Sequence, residues 1–495
     1  MMMPDWLAYA VLIVTGGTLV LLVPFALHRT YLLLSARRER PEEDRWTQAL
    51  PRVTVQLPVY NEAAVITRLI DAAAALTYPQ ELLEIQVLDD SDDATVVRAA
   101  ERTRHWRDRG IPISHLRRAT REGYKAGALA DGLRKASGDF LLVLDADFVP
   151  PPTLIHDLLG PFMDPEVGLV QARWDHLNEE ESQLTRCQAR LLDAHFFFEQ
   201  GGRWAAGFFM NFNGTGGMWR REALLDAGGW SSDTLTEDLD VSYRAQMAGW
   251  RFAFRPLIGV PAELPRTVRD LELQQKRWAQ GGIQTARKLL PSLLGSPWSL
   301  AIKREASVHL LGHLAHPLTL LLGVLVVPSA LARRSLGLEG WLALDLLVFL
   351  GATISFLIFV AAAGRRRGGR WSDLIPTSLV TLALGIGLTA TVSGAVIRGA
   401  FGGTSDPFHR TPKYGDGQAR YVSPRIPADT MVKVAFACWM AICGIVAVAQ
   451  GLWASLPFVL LFGSGYAWLA LGDLLVSAGP PKAPAVELRT PLVSS

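Results

Sequence analysis

The sequence predicts an α/β domain with a mostly parallel, doubly wound sheet, joined to an α-helical transmembrane bundle. Hydrophobic residues make up 49% of the 495 residues, yet charged residues still reach 19%. Strand and helix patterns alternate between residues 51 and 304, which is typical of a parallel α/β sheet. Long runs of Leu, Val and Phe follow residue 306. These observations together indicate a soluble domain of about 250 residues beside a membrane part.

The N-terminal segment, residues 1–34, is predicted to be a transmembrane helix. Its apolar run, residues 6–27, is long enough to span a bilayer and lacks the basic start of a cleaved signal peptide. Asp5 precedes this run, whereas the residues that follow it are basic: Arg29, Arg37, Arg38 and Arg40. The positive-inside rule therefore places the N-terminus outside and the α/β domain in the cytoplasm.

Three strands of the α/β domain can be assigned, at residues 53–57, 85–88 and 140–144, with a helix predicted over 63–76. Ligands bind at the carboxyl ends of the strands in such sheets. All three predicted strands end in polar or acidic residues: Pro58, Tyr60 and Glu62; Asp89 and Asp90; Asp145 and Asp147. The sequence therefore predicts one site at this edge of the sheet.

The C-terminal region, residues 305–478, is predicted to hold four spans, near 308–331, 341–363, 431–453 and 456–478. A further apolar stretch, 374–397, is rich in Gly, Ser and Thr and separates two basic loops. Both loops can be cytoplasmic only if this stretch does not cross, so we interpret it as interfacial or re-entrant. Six plain spans are the alternative. The tail, 479–495, is predicted to be disordered.

Charge and cysteine content exclude several classes of protein. The 49 basic and 47 acidic residues give a net charge of +2, without the basic excess of a nucleic-acid-binding protein. The three cysteines, Cys187, Cys438 and Cys443, form neither a disulfide framework nor a zinc motif. We interpret them as passive core residues.

Asp145 and Asp147 are candidate metal ligands. Alternate residues of an extended chain point the same way, so both carboxylates face one point at the end of a strand. Mg²⁺ is commonly bound through one or two carboxylates together with substrate phosphates. The pair therefore predicts Mg²⁺ or Mn²⁺ with a nucleotide diphosphate, although solvated loop carboxylates are the common alternative for such a pair alone.

Two further positions suit a nucleotide. Asp89 and Asp90 can accept hydrogen bonds from a base or ribose, and Asp90 is the better candidate; an Asx turn or helix cap is the alternative. Lys125 lies beside small residues where a helix is predicted to begin, a position that suits phosphate. An ordinary surface lysine would explain it equally well.

Two segments suit an acceptor. Thr236 is a predicted N-cap, which places Glu237 and Asp238 in the first turn of a helix; Asp238 could be the general base that deprotonates a sugar hydroxyl. Capping alone is the alternative. Residues 274–278 supply amides, a guanidinium for phosphate and an indole for a sugar ring, from Gln274, Gln275, Arg277 and Trp278. Their alternative is an amphipathic helix anchored at the membrane by its tryptophan.

In this order the motifs resemble those of the processive family 2 glycosyltransferases, the cellulose synthase superfamily. The resemblance is stronger to cellulose synthase-like A and C proteins, the β-mannan and glucan-backbone synthases, through residues 86–91, 123–129, 145–148, 170–174 and 212–215. It implies a GT-A-like fold, with an interfacial helix near 274–295. The residues that it implies for the donor are Pro58, Tyr60, Glu62, Asp89, Asp90, Lys125 and Asp145. Those for the acceptor and pyrophosphate are Asn213, Gly214, Gln274, Gln275, Arg277 and Trp278, with Glu237 and Asp238 catalytic.

The same superfamily carries a cytoplasmic gating loop with a Phe-x-Val-Thr-x-Lys pattern. Phe408, Thr411 and Lys413 match this pattern, and Arg410 replaces the valine. The resemblance implies that a loop near 400–425 reaches the active site from the cytoplasm.

Together these inferences predict a metal-dependent, inverting hexosyltransferase that polymerises a β-mannan, glucomannan or β-glucan from GDP-mannose or UDP-glucose and couples synthesis to export. The predicted partners are the nucleotide sugar, the growing polysaccharide, the lipid bilayer and accessory export proteins, with no nucleic acid. The composition favours a bacterial plasma membrane over a Golgi membrane. The alternatives are transfer of a single sugar to a ceramide or diacylglycerol, and a non-catalytic transporter or scaffold.

Overall fold

The computed structural model describes residues 3–37, 46–403, 411–415 and 428–478. The predicted gating residue Phe408 and the predicted tail, 479–495, lie outside the described residues.

The α/β domain is built on a sheet that has seven strands within the described residues, in the order β3-β2-β1-β4-β6-β5-β7. The strands are β1 (Val53–Val59), β2 (Leu83–Asp89), β3 (Ile113–Arg117), β4 (Phe140–Val143), β5 (Val167–His176), β6 (Gly217–Arg220) and β7 (Arg251–Ala262). Only β6 among these runs antiparallel to its neighbours. The predicted mostly parallel sheet is therefore confirmed.

Both faces of the sheet are covered, as strands rich in consecutive apolar residues require. In β4, Phe140 and Leu142 pack in the core on one face, while Leu141 and Val143 pack in the core on the other. The helices that surround the sheet are α2 (Ile66–Ala74), α3 (Thr95–Arg107), α4 (Tyr124–Lys135), α5 (Leu154–Leu159), α6 (Gln183–Ala194), α7 (Gly201–Ala206), α8 (Arg221–Asp226) and α9 (Glu237–Met247). The helix predicted over 63–76 begins later because Asn61 has a positive φ of 55° and a turn follows it.

The remaining helices form the membrane part and its junction with the domain. They are α1 (Asp5–Ser35), α10 (Val268–Gly295), α11 (Leu300–Leu310), α12 (Ala315–Ser335), α13 (Leu342–Arg366), α14 (Trp371–Phe401), α15 (Ala428–Ala449) and α16 (Leu456–Ala478). In the part of the chain that the structure describes, six helical segments are long and apolar enough to cross a membrane; they lie in α1, α12, α13, α14, α15 and α16. These segments identify a membrane protein.

Helix α14, which contains the stretch 374–397, is one continuous helix of 31 residues. Its side chains at Leu384, Leu388 and Val392 share an apolar cluster with Leu184 of α6 and Leu271 of α10. In the most apolar 18-residue stretch of α14, 67% of the residues are buried within the protein, whereas the corresponding share in α1 is 11%. Helix α14 also packs against α16, where the Thr389 and Tyr466 hydroxyls lie 3.3 Å apart, so it lies between the α/β domain side and the membrane helices.

Candidate active site

An open cleft lies at the carboxyl ends of β1, β2 and β4. It is bounded on the other side by α9, α10 and the segment 411–415. The predicted site residues that line it are Pro58, Tyr60, Glu62, Asp90, Lys125, Asp145, Asp147, Asn213, Gly214, Glu237, Asp238, Gln274, Arg277, Trp278, Thr411 and Lys413. The topology thus brings together residues from nearly the whole α/β domain and from the segment beyond α14.

Two predicted residues do not line the cleft. Asp89 is only 1% exposed, and its carboxylate contacts His115 Nε2 at 2.8 Å and accepts a hydrogen bond from the Ser91 amide at 2.9 Å. Burial opposes ionisation, but these partners outweigh it and lower the pKa of Asp89. The prediction that Asp89 contacts the donor is therefore corrected to a structural role at the end of β2. Gln275 is also absent from the lining.

The end of the cleft nearest β2 carries Asp90, whose carboxylate receives two hydrogen bonds from the Arg118 guanidinium. Nearby, the Arg121 guanidinium lies 3.3 Å from the centre of the Tyr60 ring and 4.9 Å from that of Tyr124. Such stacked planar groups and paired polar atoms suit a nucleobase. Sequence reasoning missed both arginines, because no local pattern links residues 118 and 121 to the ends of β1 and β2.

Lys125 lies between the strand ends and α9. Gly123 and Tyr124 have positive φ angles of 69° and 51°, and the turn that they make delivers Lys125 to the cleft at the start of α4. Its Nζ lies 2.6 Å from Asp145 Oδ1, 3.7 Å from Glu237 Oε1 and 2.9 Å from the Gly214 carbonyl oxygen. Burial favours the neutral amine, but the two carboxylates outweigh it and raise the pKa of Lys125. Lys125 is therefore a fixed cation at the sheet edge.

Asp147 is almost fully buried, at 2% exposure. Its Oδ2 lies 2.6 Å from Lys413 Nζ and accepts a hydrogen bond from the Glu263 amide at 3.2 Å. Burial raises the pKa of Asp147, while Lys413 opposes the rise. The Glu263 carboxylate in turn accepts hydrogen bonds from the amides of Tyr414 and Gly415, at 3.0 Å each. The segment 411–415 is thus held in the cleft by the Lys413 ion pair and by two hydrogen bonds from its backbone amides.

Asp238 lies in the first turn of α9, where its Oδ1 accepts the Leu239 amide at 2.8 Å. A Cβ built on Gly214, which has a φ of +81°, would lie 3.0 Å from Asp238 Oδ2, so the glycine leaves room for this carboxylate. Burial and the neighbouring Glu237 raise the pKa of Asp238 to about 7, against the opposing charges of Lys125 and Arg277. A carboxylate with a pKa near neutrality suits a general base.

The predicted N-cap Thr236 occupies that position but does not cap the helix with its side chain. Its hydroxyl lies 3.1 Å from the Thr285 hydroxyl of α10 instead. The Thr236 side chain therefore satisfies none of the free amides at the start of α9, whereas the Asp238 carboxylate accepts one, from Leu239.

Two indoles form an aromatic surface in the cleft. Trp278 of α10 and Trp174 at the end of β5 have ring centres 6.4 Å apart, and both line the cleft. Phe148 packs edge-on against Trp174, with ring centres 5.3 Å apart. Flat apolar faces of this kind can pack against the faces of sugar rings. The sequence predicted Trp278 in this role, whereas strand β5, which carries Trp174, was not assigned.

The charges of the cleft bear on metal binding. Acidic residues outnumber basic ones among the lining side chains, eight to four: Glu62, Asp90, Asp145, Asp147, Asp175, Glu237, Asp238 and Glu263 against Arg121, Lys125, Arg277 and Lys413. A diphosphate brings further negative charge, so a divalent cation would be needed to offset it. The Asp145 side chain is 33% exposed. Asp145 and Asp147 supply two carboxylates at this point, a donor set that fits a cation that also takes phosphate oxygens.

Residues 51–281 match the family described as Glycosyltransferase like family 2. The chain carries a family 2 glycosyltransferase domain. This match confirms the predicted family 2 assignment for the domain, and the GT-A-like fold of the domain agrees with it.

The glycosyltransferase domain is similar to two plant proteins. Glucomannan 4-β-mannosyltransferase 2 of Arabidopsis thaliana is 40% identical over 259 residues, which cover 51% of this chain and 48% of that protein. Glucomannan 4-β-mannosyltransferase 1 of Cyamopsis tetragonoloba is 33% identical over 333 residues, which cover 66% of this chain and 62% of that protein. The chain thus spans between about half and three fifths of the length of these relatives.

Among solved structures, the chain matches a mannosyltransferase from Pyrobaculum calidifontis in complex with GDP-mannose and Mn²⁺. It has a TM-score of 0.48 and 22% sequence identity, and the match covers 74% of this chain and 99% of that one.

Proposed function

We propose that this protein is a processive, inverting glycosyltransferase that builds a β-mannan or glucomannan from GDP-mannose. The convergence of Asp238, the Lys125–Asp145 pair, Asp147 and Trp278 on one cleft carries the proposal. The two relatives described above, both named as glucomannan 4-β-mannosyltransferases, favour GDP-mannose over UDP-glucose as the donor.

The donor would bind with its base near Tyr60 and Asp90 and its diphosphate near Lys125. The lysine already holds its charge at the sheet edge, so it can exchange part of its contact with Asp145 for phosphate oxygens. Charge compensation for the departing diphosphate would come from Mg²⁺ or Mn²⁺ held by Asp145 and Asp147. Arg277 lies on the same cleft wall as Asp238 and would add a fork of donors for the diphosphate.

The acceptor sugar would lie on the indole faces of Trp278 and Trp174, with its reacting hydroxyl at Asp238. A pKa of about 7 lets the ionised carboxylate accept the hydroxyl proton near neutral pH. Attack on the side opposite the diphosphate breaks the bond between the anomeric carbon and the phosphate oxygen, releases GDP and forms a glycosidic bond, which inverts the anomeric configuration. A separate base and leaving-group site is what a single displacement of this kind requires.

The membrane part would be oriented with the glycosyltransferase domain in the cytoplasm, in a bacterial plasma membrane or, in a eukaryote, the Golgi membrane. We propose that α14 lies at the cytoplasmic membrane surface, because the basic loops on both sides of it can then be cytoplasmic. Its C-terminal Gly399 carbonyl also accepts a hydrogen bond from Arg287 of α10. Five helices would then cross the bilayer, consistent with basic loops on the cytoplasmic side of α14.

Export would begin beside α10. Gly282 lies one turn beyond Trp278, and a Cβ at that position would lie 3.0 Å from the His313 ring, so α10 and the start of the membrane bundle approach closely there. A polar histidine at the entrance of the bundle suits a hydrophilic polymer. Synthesis at the indoles would thus feed a chain toward the membrane helices, and accessory proteins could receive it outside.

The test is to incubate the purified protein in detergent with labelled GDP-mannose or UDP-glucose and Mn²⁺ or Mg²⁺. We expect release of GDP and a labelled polymer that organic solvent does not extract and that a β-mannanase digests. A chloroform-soluble product would contradict polymer synthesis and support transfer of one sugar to a lipid. Turnover of UDP-glucose alone would contradict the donor assignment.

A further inference from the structure

A charged contact between α10 and α15 is the feature from which we infer a further function. Helix α10 carries the cleft residues Gln274, Arg277 and Trp278, whereas α15 follows the segment 411–415 in sequence and enters the membrane part. The side of α10 away from the cleft bears charged residues that face α15. A cytoplasmic binding surface and a transmembrane helix are therefore joined directly by side chains.

The inner part of this contact is buried. Lys433 of α15 is 0% exposed, and its Nζ lies 2.7 Å from Glu272 Oε1 of α10 and also contacts the Asp473 carboxylate of α16. The Thr430 hydroxyl donates to Asp473 Oδ2 at 2.6 Å, and the Thr391 hydroxyl of α14 donates to Glu272 Oε1 at 3.3 Å. One lysine thus joins α10 to two membrane helices.

In the outer part of the contact the positive charge lies on α10 and the negative charge on α15, the reverse of the inner part. Lys276 of α10 pairs with Asp429 of α15, and these side chains are 17% and 48% exposed. Residues 272 and 276 are one helical turn apart on α10, as 429 and 433 are on α15. The charge order is negative then positive along each helix, so the two helices match when they run antiparallel. A shift of one turn would bring like charges together, which makes the contact specific for one register.

The same helix is held at a third point by the segment inserted in the cleft. The Tyr414 hydroxyl donates to Asp270 Oδ2 of α10 at 2.5 Å. At the neighbouring turn, Val268 packs directly on Gly472 of α16, where a Cβ would come within 2.7 Å of its side chain. The first three turns of α10 are therefore fixed by α15, α16 and the segment 411–415 together.

We propose that the Glu272–Lys433 and Lys276–Asp429 pairs position the acceptor surface of α10 relative to the membrane helices. This inference rests on the proposed function, since it assigns the residues that set where the growing polymer lies. These four are positioning residues, because they do not line the cleft and act through Trp278 on the same helix. Loss of the register would displace the polymer end from Asp238 while leaving the donor side of the cleft intact.

The outer pair offers a charge-reversal experiment with a built-in control. Lys276→Asp and Asp429→Lys each place like charges together, and the combined swap restores an opposite pair. We expect each single variant to raise the KM for a mannan oligosaccharide acceptor and to shorten the polymer by about tenfold or more, since small displacements of reacting groups are costly. The dissociation constant for GDP-mannose should rise far less than the acceptor KM, because most residues assigned to the donor lie outside α10, and the swap should restore polymer length.

The inner pair is tested without leaving a buried charge alone. The triple variant Lys433→Met, Glu272→Gln and Asp473→Asn removes all three charges at similar volume, and thermal unfolding in detergent verifies that it folds. We expect the same acceptor defect with donor binding retained. Wild-type polymer length and acceptor KM in the triple variant and in both single reversals would overturn the proposal. Equal losses of donor and acceptor binding would overturn it too, whereas a wild-type protein that neither binds nor consumes GDP-mannose would refute the proposed function itself.

Discussion

Asp238→Asn should abolish sugar transfer and at the same time stabilise the folded protein at alkaline pH. In the structure, burial and Glu237 raise the pKa of Asp238 from 3.8 to about 7. At 1.36 kcal/mol per pH unit, this corresponds to about 4 kcal/mol of cost for the ionised carboxylate in the folded state. Residual exposure and salt screen part of this cost, so we expect the neutral amide to add roughly 1–3 kcal/mol.

The sign of this effect depends on pH. Below pH 3.8 the carboxyl is protonated in both the folded and the unfolded states, so the substitution should change the free energy of unfolding little. Between 3.8 and about 7 only the unfolded state is ionised, and the stability of the wild type falls as pH rises. Above about 7 both states are ionised and the full cost remains. The gain in melting temperature from Asp238→Asn should therefore be larger at pH 8 than at pH 5.

Activity supplies the second readout of the same change. The wild-type rate of transfer should fall about tenfold for each pH unit below about 7, because only ionised Asp238 accepts a proton, and Asp238→Asn should lower the rate by about 10²- to 10⁴-fold. Glu237→Gln should move the acid limb to lower pH, since Glu237 helps raise the pKa of Asp238. Asp226→Asn, at an exposed carboxylate, is the matched control.

The assay is release of GDP from GDP-mannose across pH 5 to 9, paired with thermal unfolding of the same protein in detergent followed by tryptophan fluorescence. An Asp238→Asn variant that keeps its turnover would refute the base assignment. A variant that loses turnover but is less stable than the wild type at pH 8 would refute the electrostatic reasoning. In that case the ionised Asp238 carboxylate would not destabilise the folded state, as the raised pKa requires.

Three further predictions concern the rest of the cleft. Lys125→Met should raise the KM for the donor by about tenfold or more, because a charge-assisted contact to the diphosphate is lost. It should also shift the acid limb of the pH profile to higher pH, since Lys125 lowers the pKa of Asp238. An unchanged acid limb would contradict this coupling. Trp278→Ala should raise the KM for an oligosaccharide acceptor with little change in GDP-mannose binding, and Trp278→Phe should recover part of the loss. Equal effects on donor and acceptor binding would contradict the assignment of the Trp278 indole to the acceptor. Removal of divalent cations with EDTA should abolish GDP release, and added Mn²⁺ or Mg²⁺ should restore it; full activity in EDTA would refute the role assigned to Asp145 and Asp147.

Much of the candidate site could be predicted because its residues stand in local patterns. The pair Asp145 and Asp147 follows an apolar strand, and Glu237 with Asp238 opens a helix, so each chemistry is encoded within a few residues. The order of these motifs also indicated the family, which residues 51–281 then confirmed. Their meeting in one cleft followed from the general rule that carboxyl ends of parallel strands share an edge.

Local sequence patterns did not reveal the hydrogen-bond partner of a polar side chain at two positions. Asp89 and Asp90 are adjacent and chemically identical, yet β2 turns the first toward His115 and the second toward the cleft, because successive residues of a strand face opposite ways. Thr236 has the residue type and position of a cap, but the packing of α10 offers its hydroxyl Thr285 instead. Which partner a polar group takes depends on neighbours that are distant in sequence.

The sequence alone predicted a membrane protein with a candidate nucleotide-sugar site, because hydropathy, strand alternation and compact motifs are properties of neighbouring residues. Only the tertiary structure decided that Lys413 reaches Asp147, that Trp174 faces Trp278, and that Lys433 joins α10 to the membrane helices. The last of these contacts links residues 161 positions apart. Such pairs form because a buried charge without an opposite partner is strongly destabilising. The fold determines which opposite charge is close enough to pair with it.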